Sequence, residues 1–116
     1  MKVLTRFYAF LREMTGRESD TITLDEGSTV IDFLKAVREK YGVSLASIFG
    51  VDGMLRSGFA IALNGDSVDR REWARTVLRD GDTVVILPPI AGGLSEGGQS
   101  NASLSLIPTH IWSLHN

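Results

Sequence analysis

The longest regular pattern in the chain is GSTVIDFLKAVREKYG, residues 27–42, where Val30, Phe33, Leu34, Val37 and Tyr41 recur at the spacing of one helical face. This predicts an amphipathic helix. Ser28 or Thr29 supplies an oxygen to cap the free amides at its start, Asp32 suits the positive end of the helix dipole, and Gly42 stops it. Elsewhere the pattern changes to that of strands. Lys2 to Phe10 is rich in β-branched and aromatic residues, and alternation sets Val3, Thr5, Phe7 and Ala9 against Leu4, Arg6, Tyr8 and Phe10. Thr21 to Leu24 reads as a second strand after a turn around Gly16, and Phe59 to Leu63 as a third, ended by the turn Asn64-Gly65-Asp66. Thr83 to Leu87 (TVVIL) is the continuous apolar run of a strand buried on both faces, entered through the turn Arg79-Asp80-Gly81-Asp82. Leu45, Ile48 and Phe49 suit a helical turn, and VDGMLRSG, residues 51–58, reads as a loop. Asp69 to Leu78 is a polar connector with one anchoring aromatic, Trp73.

The order strand, strand, helix, strand, strand implies a small α+β domain. Composition then marks where it ends. All 12 Lys and Arg and 13 of the 14 acids lie in residues 1–93, and only Glu96 carries charge afterwards with His counted neutral. Residues 1–93 therefore read as the folded domain and residues 94–116 as a C-terminal extension, flexible or removable. A net charge of -2, with scattered basic residues, gives no electrostatic case for nucleic acid or an anionic membrane. No stretch approaches the roughly 20 apolar residues of a membrane helix, and the charged start MKVLTRFYAFLRE lacks a signal peptide's apolar run. The chain has no cysteine, which removes disulfides, thiolate metal sites and a cysteine nucleophile. The cytoplasm is the expected location.

The domain closes on LPPIAGGLS, residues 87–95, in which an apolar strand meets two prolines and then a double glycine. Taken alone, Pro-Pro-x-x-Gly-Gly is a flexible exit into a linker. With FYAFLREMTG at 7–16, the helix beginning at STV, and LRDGDTVVILPPIAGG at 78–93, the chain resembles the MoaD/ThiS sulfur carriers, above all the small subunit of molybdopterin synthase. That resemblance implies a ubiquitin-like β-grasp, a mixed sheet with one main helix packed across it. It implies a non-catalytic subunit that binds no cofactor or metal of its own. A ubiquitin-activating-type adenylating enzyme would spend ATP to convert the Gly93 carboxylate to an acyl-adenylate. A sulfur donor would then make it a thiocarboxylate, and the molybdopterin synthase large subunit would pass the sulfur to a pterin precursor. Pro88, Pro89, Ile90, Ala91 and Gly92 would form the arm that enters the partner. Glycine without a Cβ threads a narrow channel, and proline near φ -65° stiffens the base of the arm and lowers the entropy lost on insertion.

In this chain the Gly93 carbonyl is tied up in an amide to Leu94, so the uncut protein should be inert as a carrier. The first explanation is a precursor that a protease cuts after Gly93. The second is a tail that is vestigial or a product of reading-frame history. The third is a tail whose patch LSLIPTHIWSL binds the sheet or a partner and keeps the domain inactive. Gly97-Gly98 is another double glycine, without the strand and prolines in front of it. Rival functions are a protein modifier joined to lysines through Gly93, a ThiS-like carrier for thiamine thiazole synthesis, and a β-grasp interaction module never activated. Asp66, Asp69 and Glu72 with His110 or His115 have no regular metal-ligand spacing and read as solvated surface. Of Phe7, Tyr8, Phe10 and Phe59, alternation sends about half to each face of the sheet; core is the expectation for any single ring.

Overall fold

The computed structural model describes residues 1–89. Helix α2, Val30–Tyr41, forms where the apolar spacing predicted it, with Val30, Phe33, Leu34 and Val37 buried. Thr29 caps it: its Oγ1 accepts from the Asp32 amide at 3.4 Å, and the Asp32 carboxylate accepts from the Thr29 amide at 2.9 Å. Two amides that the first turn leaves without helical partners are thus satisfied reciprocally. Ser28, the other capping candidate, is buried and its carbonyl accepts the Leu78 amide at 2.8 Å.

Strand β1, Lys2–Arg6, pairs antiparallel with β2, Ser19–Thr23. Strand β3, Ala60–Leu63, lies between β4, Asp66–Val68, and β5, Val84–Leu87, antiparallel to both. The two units meet where β1 runs parallel to β5, through the Leu4–Thr83 bridge and a 2.8 Å bond from the Leu4 amide to the Asp82 carbonyl. The lateral order is therefore β2-β1-β5-β3-β4, a mixed arrangement with α2 packed across one face. β5 is central, and all four of its residues are buried, which is why its sequence is apolar without alternation.

Two elements differ from the sequence reading. β1 stops at Arg6 instead of reaching Phe10, because Ala9 takes a φ of 53° and turns the chain into a short helix α1, Phe10–Thr15. That turn carries Leu11 into the core at 1% exposure and leaves Ala9 and Phe10 outside, so the expected row Val3, Thr5, Phe7, Ala9 holds only to Phe7. β4 was not foreseen, since Asp66 and Ser67 are exposed and its three residues carry no apolar alternation. Between α2 and β3, a 3-10 helix over Gly42–Ile48 buries Leu45 and Ile48, as their spacing suggested. A second, over Arg70–Arg75, buries Trp73, whose Nε1 donates to the Val68 carbonyl at 2.9 Å.

Thr5 stands in the layer beneath α2 with Val3 and Phe7, 1% exposed, and its hydroxyl has no hydrogen-bond partner among the described residues. A buried polar group left in that condition costs about 1–3 kcal/mol. Thr5→Val keeps the shape and removes the hydroxyl, so it is expected to stabilise the domain by about 1 kcal/mol. A urea midpoint that fails to rise would show that the hydroxyl is satisfied in solution.

Candidate functional site

The arm singled out in the sequence leaves the fold at the end of β5. Leu87 makes the last pair of the ladder, opposite Ala60. Pro88 and Pro89 follow, half-buried and exposed respectively, and neither has an amide hydrogen to extend the ladder. Pro89 packs on Gly58, where a Cβ would stand 3.2 Å from the Pro89 Cβ, and Gly58 has a φ of +96°. A side chain there would be strained and would push the arm's base away. Next to this seat, Phe59 meets Phe10 edge to face at 6.3 Å, and Phe10 is 42% exposed. Ile90, Ala91, Gly92 and Gly93 lie outside the described residues.

β5 divides two apolar layers. Val84 and Ile86, with Ile61 of β3, join the core under α2. Val85 and Leu87 lie on the other side of the sheet, clustered with Ala62, Tyr8 and the half-buried Ala60. The four aromatics therefore part company. Phe7 is core, edge to face with Tyr41 at 5.4 Å; Tyr8 belongs to the opposite cluster; Phe59 is half-buried against the core; Phe10 is exposed. Burial pushes the Tyr8 phenol above its ordinary pKa, against the lowering influence of the Arg6 charge.

The polar turns are structural. Asp80 accepts the Lys2 amide at 2.7 Å, and Asp82 accepts the Arg79 amide at 2.8 Å and the Asn64 side-chain amide at 3.0 Å. Asp69 is held at a pKa of about 2 by hydrogen bonds from the Arg71 guanidinium and amide, and Glu72 pairs with Arg75 at 3.0 Å. Asp66 is exposed, and His110 and His115 lie outside the described residues. Among the described residues no helix is long and apolar enough to cross a membrane.

One polar cluster escaped the sequence reading. Asp20 on β2 accepts the Tyr41 hydroxyl at 2.5 Å, pairs with Lys40 at 2.8 Å and meets Arg17 at 3.3 Å, tying the edge of the sheet to the end of α2. Tyr41 lies 21 residues away in sequence, so no local signal announces the pair. Burial alone would raise the Asp20 pKa, but hydrogen bonds from Lys40, Tyr41 and the Thr21 amide outweigh it and bring the carboxyl below its usual range. Burial and the bond to Asp20 push the Tyr41 phenol to about 12. Asp20 therefore adds stability above the ordinary carboxylate pKa of about 3.9, and this is lost as pH falls through its folded value. Tyr41 adds stability that is complete below about pH 10 and is lost as pH rises toward its folded value. Tyr41→Phe is expected to lower the urea midpoint at pH 7 and flatten its decline on the alkaline side. An unchanged alkaline slope would remove Tyr41 as its source.

Residues 5–93 match the ThiS family, so the match ends on Gly93. The chain is 34% identical over 93 residues to small archaeal modifier protein 3 of Haloferax volcanii, covering 80% of this chain and 100% of that protein. It is 29% identical over 93 residues to the molybdopterin synthase sulfur carrier subunit of Chlamydomonas reinhardtii, with the same 80% and 100% coverage. Among solved structures, SAMP1 from Haloferax volcanii superposes with a TM-score of 0.70 at 26% identity, over 80% of this chain and 100% of that one. A complex of subunits 1 and 2 of molybdopterin-converting factor from Helicobacter pylori contains a chain that superposes with a TM-score of 0.53 at 29% identity, again over 80% and 100%. With its mixed sheet, its single crossing helix and a match spanning 5–93, this chain belongs to the ThiS family of ubiquitin-like β-grasp sulfur carriers.

Proposed function

We propose that this chain carries sulfur for molybdopterin synthesis as a thiocarboxylate on Gly93, after hydrolysis of the Gly93–Leu94 peptide bond by a processing protease. The observation that carries the reading is the coincidence of three boundaries. The family match ends on Gly93, the charged composition ends there, and the central strand runs directly into Pro88-Pro89 four residues before.

The freed Gly93 carboxylate attacks the α-phosphorus of ATP on the adenylating enzyme, and pyrophosphate leaves. A sulfur nucleophile then adds to the acyl-adenylate carbon and AMP leaves, which yields the thiocarboxylate. Within the complex with a molybdopterin synthase large subunit, sulfur passes to the pterin precursor and the carboxylate returns. The carrier itself binds no cofactor, and its contribution is a narrow arm on a rigid sheet. Gly92 lets the arm thread, while Pro88 and Pro89 limit the conformations to be lost on entry. Thiocarboxylate formation on protein ended at Gly93, with adenylating enzyme, ATP and sulfide, tests the reading, and its failure overturns it.

A second reading is favoured by the names of two relatives: small archaeal modifier protein 3 and SAMP1 align over their whole length with this chain. As a modifier, the same activated Gly93 would pass to lysine amines as isopeptides. Immunoblots of cell lysate separate the two, since a carrier used only for sulfur gives one band and a modifier gives a ladder of heavier conjugates. A thiazole-synthesis role is separated by whether thiamine or molybdenum-cofactor auxotrophy follows deletion.

A further inference from the structure

Past Leu87 the chain has no amide hydrogen to donate for two residues, Pro88 and Pro89, so the direction in which it leaves β5 rests largely on packing. The packing partner is Gly58. It lies two residues before Ala60, as Pro89 lies two after Leu87, and Ala60 and Leu87 form the last pair of the ladder. Gly58 and Pro89 thus come level across the two strands. A Cβ at Gly58 would stand 3.2 Å from the Pro89 Cβ and 3.7 Å from its Cγ. Pro89 would have to give by a few tenths of an ångström to admit it.

The turn that holds Gly58 is braced from both sides. Gly58 is the third residue of Arg56 to Phe59, a turn closed by the Phe59 amide on the Arg56 carbonyl at 3.3 Å. Its φ of +96° is the kind that such a position reserves for glycine. The Arg56 amide donates to the Ile48 carbonyl at 2.9 Å, and its Nε to the Ser47 carbonyl at 2.7 Å. From the other side, the Arg70 guanidinium donates to the carbonyls of Leu55 at 2.9 Å and Arg56 at 3.1 Å while it sits over the Trp73 ring. Phe59 is fixed edge to face against Phe10. A turn tied to both 3-10 helices resists displacement, so a side chain added at Gly58 moves Pro89 and not the turn.

We propose that Gly58 is a positioning residue for the arm. Its bare α-carbon is the seat that sets the angle at which Pro89 leaves the sheet, and so where the Gly93 acid arrives in a partner. The seat itself stands on the contact and the braced turn, and its role in transfer rests on the carrier reading. Gly93 follows Pro89 by four residues, which span about 13 Å when extended. An error at the base is therefore enlarged at the reacting end.

Two experiments test it. In the 116-residue chain, nuclear Overhauser contacts are expected between the Gly58 α protons and the Pro89 β and γ protons, and their absence overturns the seat. For the role in transfer, Gly58→Ala and Gly58→Asn are made on protein ended at Gly93, which retains every described element. Both put a Cβ against Pro89, and Asn tolerates positive φ better than Ala, which keeps the test open if Ala costs the fold. With adenylating enzyme, ATP and sulfide, and the carrier as varied substrate, kcat should fall by about tenfold while KM changes little. The deciding readout is Gly58→Asn in Pro89→Gly protein. There the added Cβ meets no ring, so no further loss is expected. An equal loss in both backgrounds would show that strain in the turn is responsible, and overturns the proposal. So does an unchanged kcat, or a loss confined to KM. If unsubstituted protein ended at Gly93 never gains sulfur, the carrier reading falls and takes the transfer role with it. If it gains sulfur no faster than the variants, Gly58 alone is removed.

Discussion

Protein ended at Gly93 is expected to convert to the thiocarboxylate in the presence of a cognate adenylating enzyme, ATP and sulfide, while the 116-residue chain shows no conversion. The contrast is all-or-none because it concerns the presence of the nucleophile. In the uncut chain the Gly93 carbonyl carbon is bonded to the Leu94 nitrogen, and a neutral amide oxygen does not displace pyrophosphate from ATP. In the trimmed chain a carboxylate does. Intact mass reads the outcome directly, as a gain matching replacement of one oxygen by one sulfur. Gly92→Val on the trimmed background gives a graded counterpart. A β-branched side chain beside the reacting acid displaces it from its position in the partner, and a misplacement of about 1 Å can cost about 100-fold in rate. Equal sulfur uptake by the uncut and trimmed chains would show that Gly93 is not the acceptor.

Trp73→Ala is expected to bring the domain close to unfolding. The ring is 2% exposed, Arg70 stacks on it at 4.4 Å, and its Nε1 donates to the Val68 carbonyl. Truncating a buried Trp costs about 3–5 kcal/mol, against a total of about 5–15 kcal/mol for a typical domain. At roughly 4–8 °C per kcal/mol for a domain of this size, the melting midpoint should fall by more than about 10 °C. Trp73→Phe keeps most of the apolar contact and drops the hydrogen bond, so it should cost less than half as much. Circular dichroism is the appropriate probe, because Trp73 is itself the main fluorophore of the folded domain. The consequence extends to the site. The segment around Trp73 leads from β4 back to β5, and the Val30 amide and the Thr29–Val77 bridge fasten it to the start of α2. Loosening it loosens the entry to the strand that carries the arm. A cost below about 1 kcal/mol would mean that the connector is not part of the core.

Much of this molecule is legible from short stretches of sequence. Helix α2 with its cap and stop, the buried last strand and the prolines that end it, the Asp80 and Asp82 turn and the anchoring role of Trp73 each depend on residues within one or two turns of each other. Periodicity, capping side chains and the fixed φ of proline act over that range. What escaped depends on groups distant in the chain. β4 has nothing apolar to announce it and exists because β3 offers it an open edge. α1 forms because the core recruits Leu11, at the cost of an unusual backbone at Ala9. Asp20 finds Tyr41 only when β2 lies beside α2. Phe7 and Tyr8, adjacent and similar in sequence, go to opposite layers, and only the assembled sheet decides which layer each one fills. The sequence by itself determined the local elements and where the last strand gives way to Pro88-Pro89, since those follow from bonds and dihedrals between near neighbours. The tertiary structure alone decided the lateral order of the strands and which apolar residues share each face of the sheet, because both arise from pairing between segments whose separation along the chain carries no local signature.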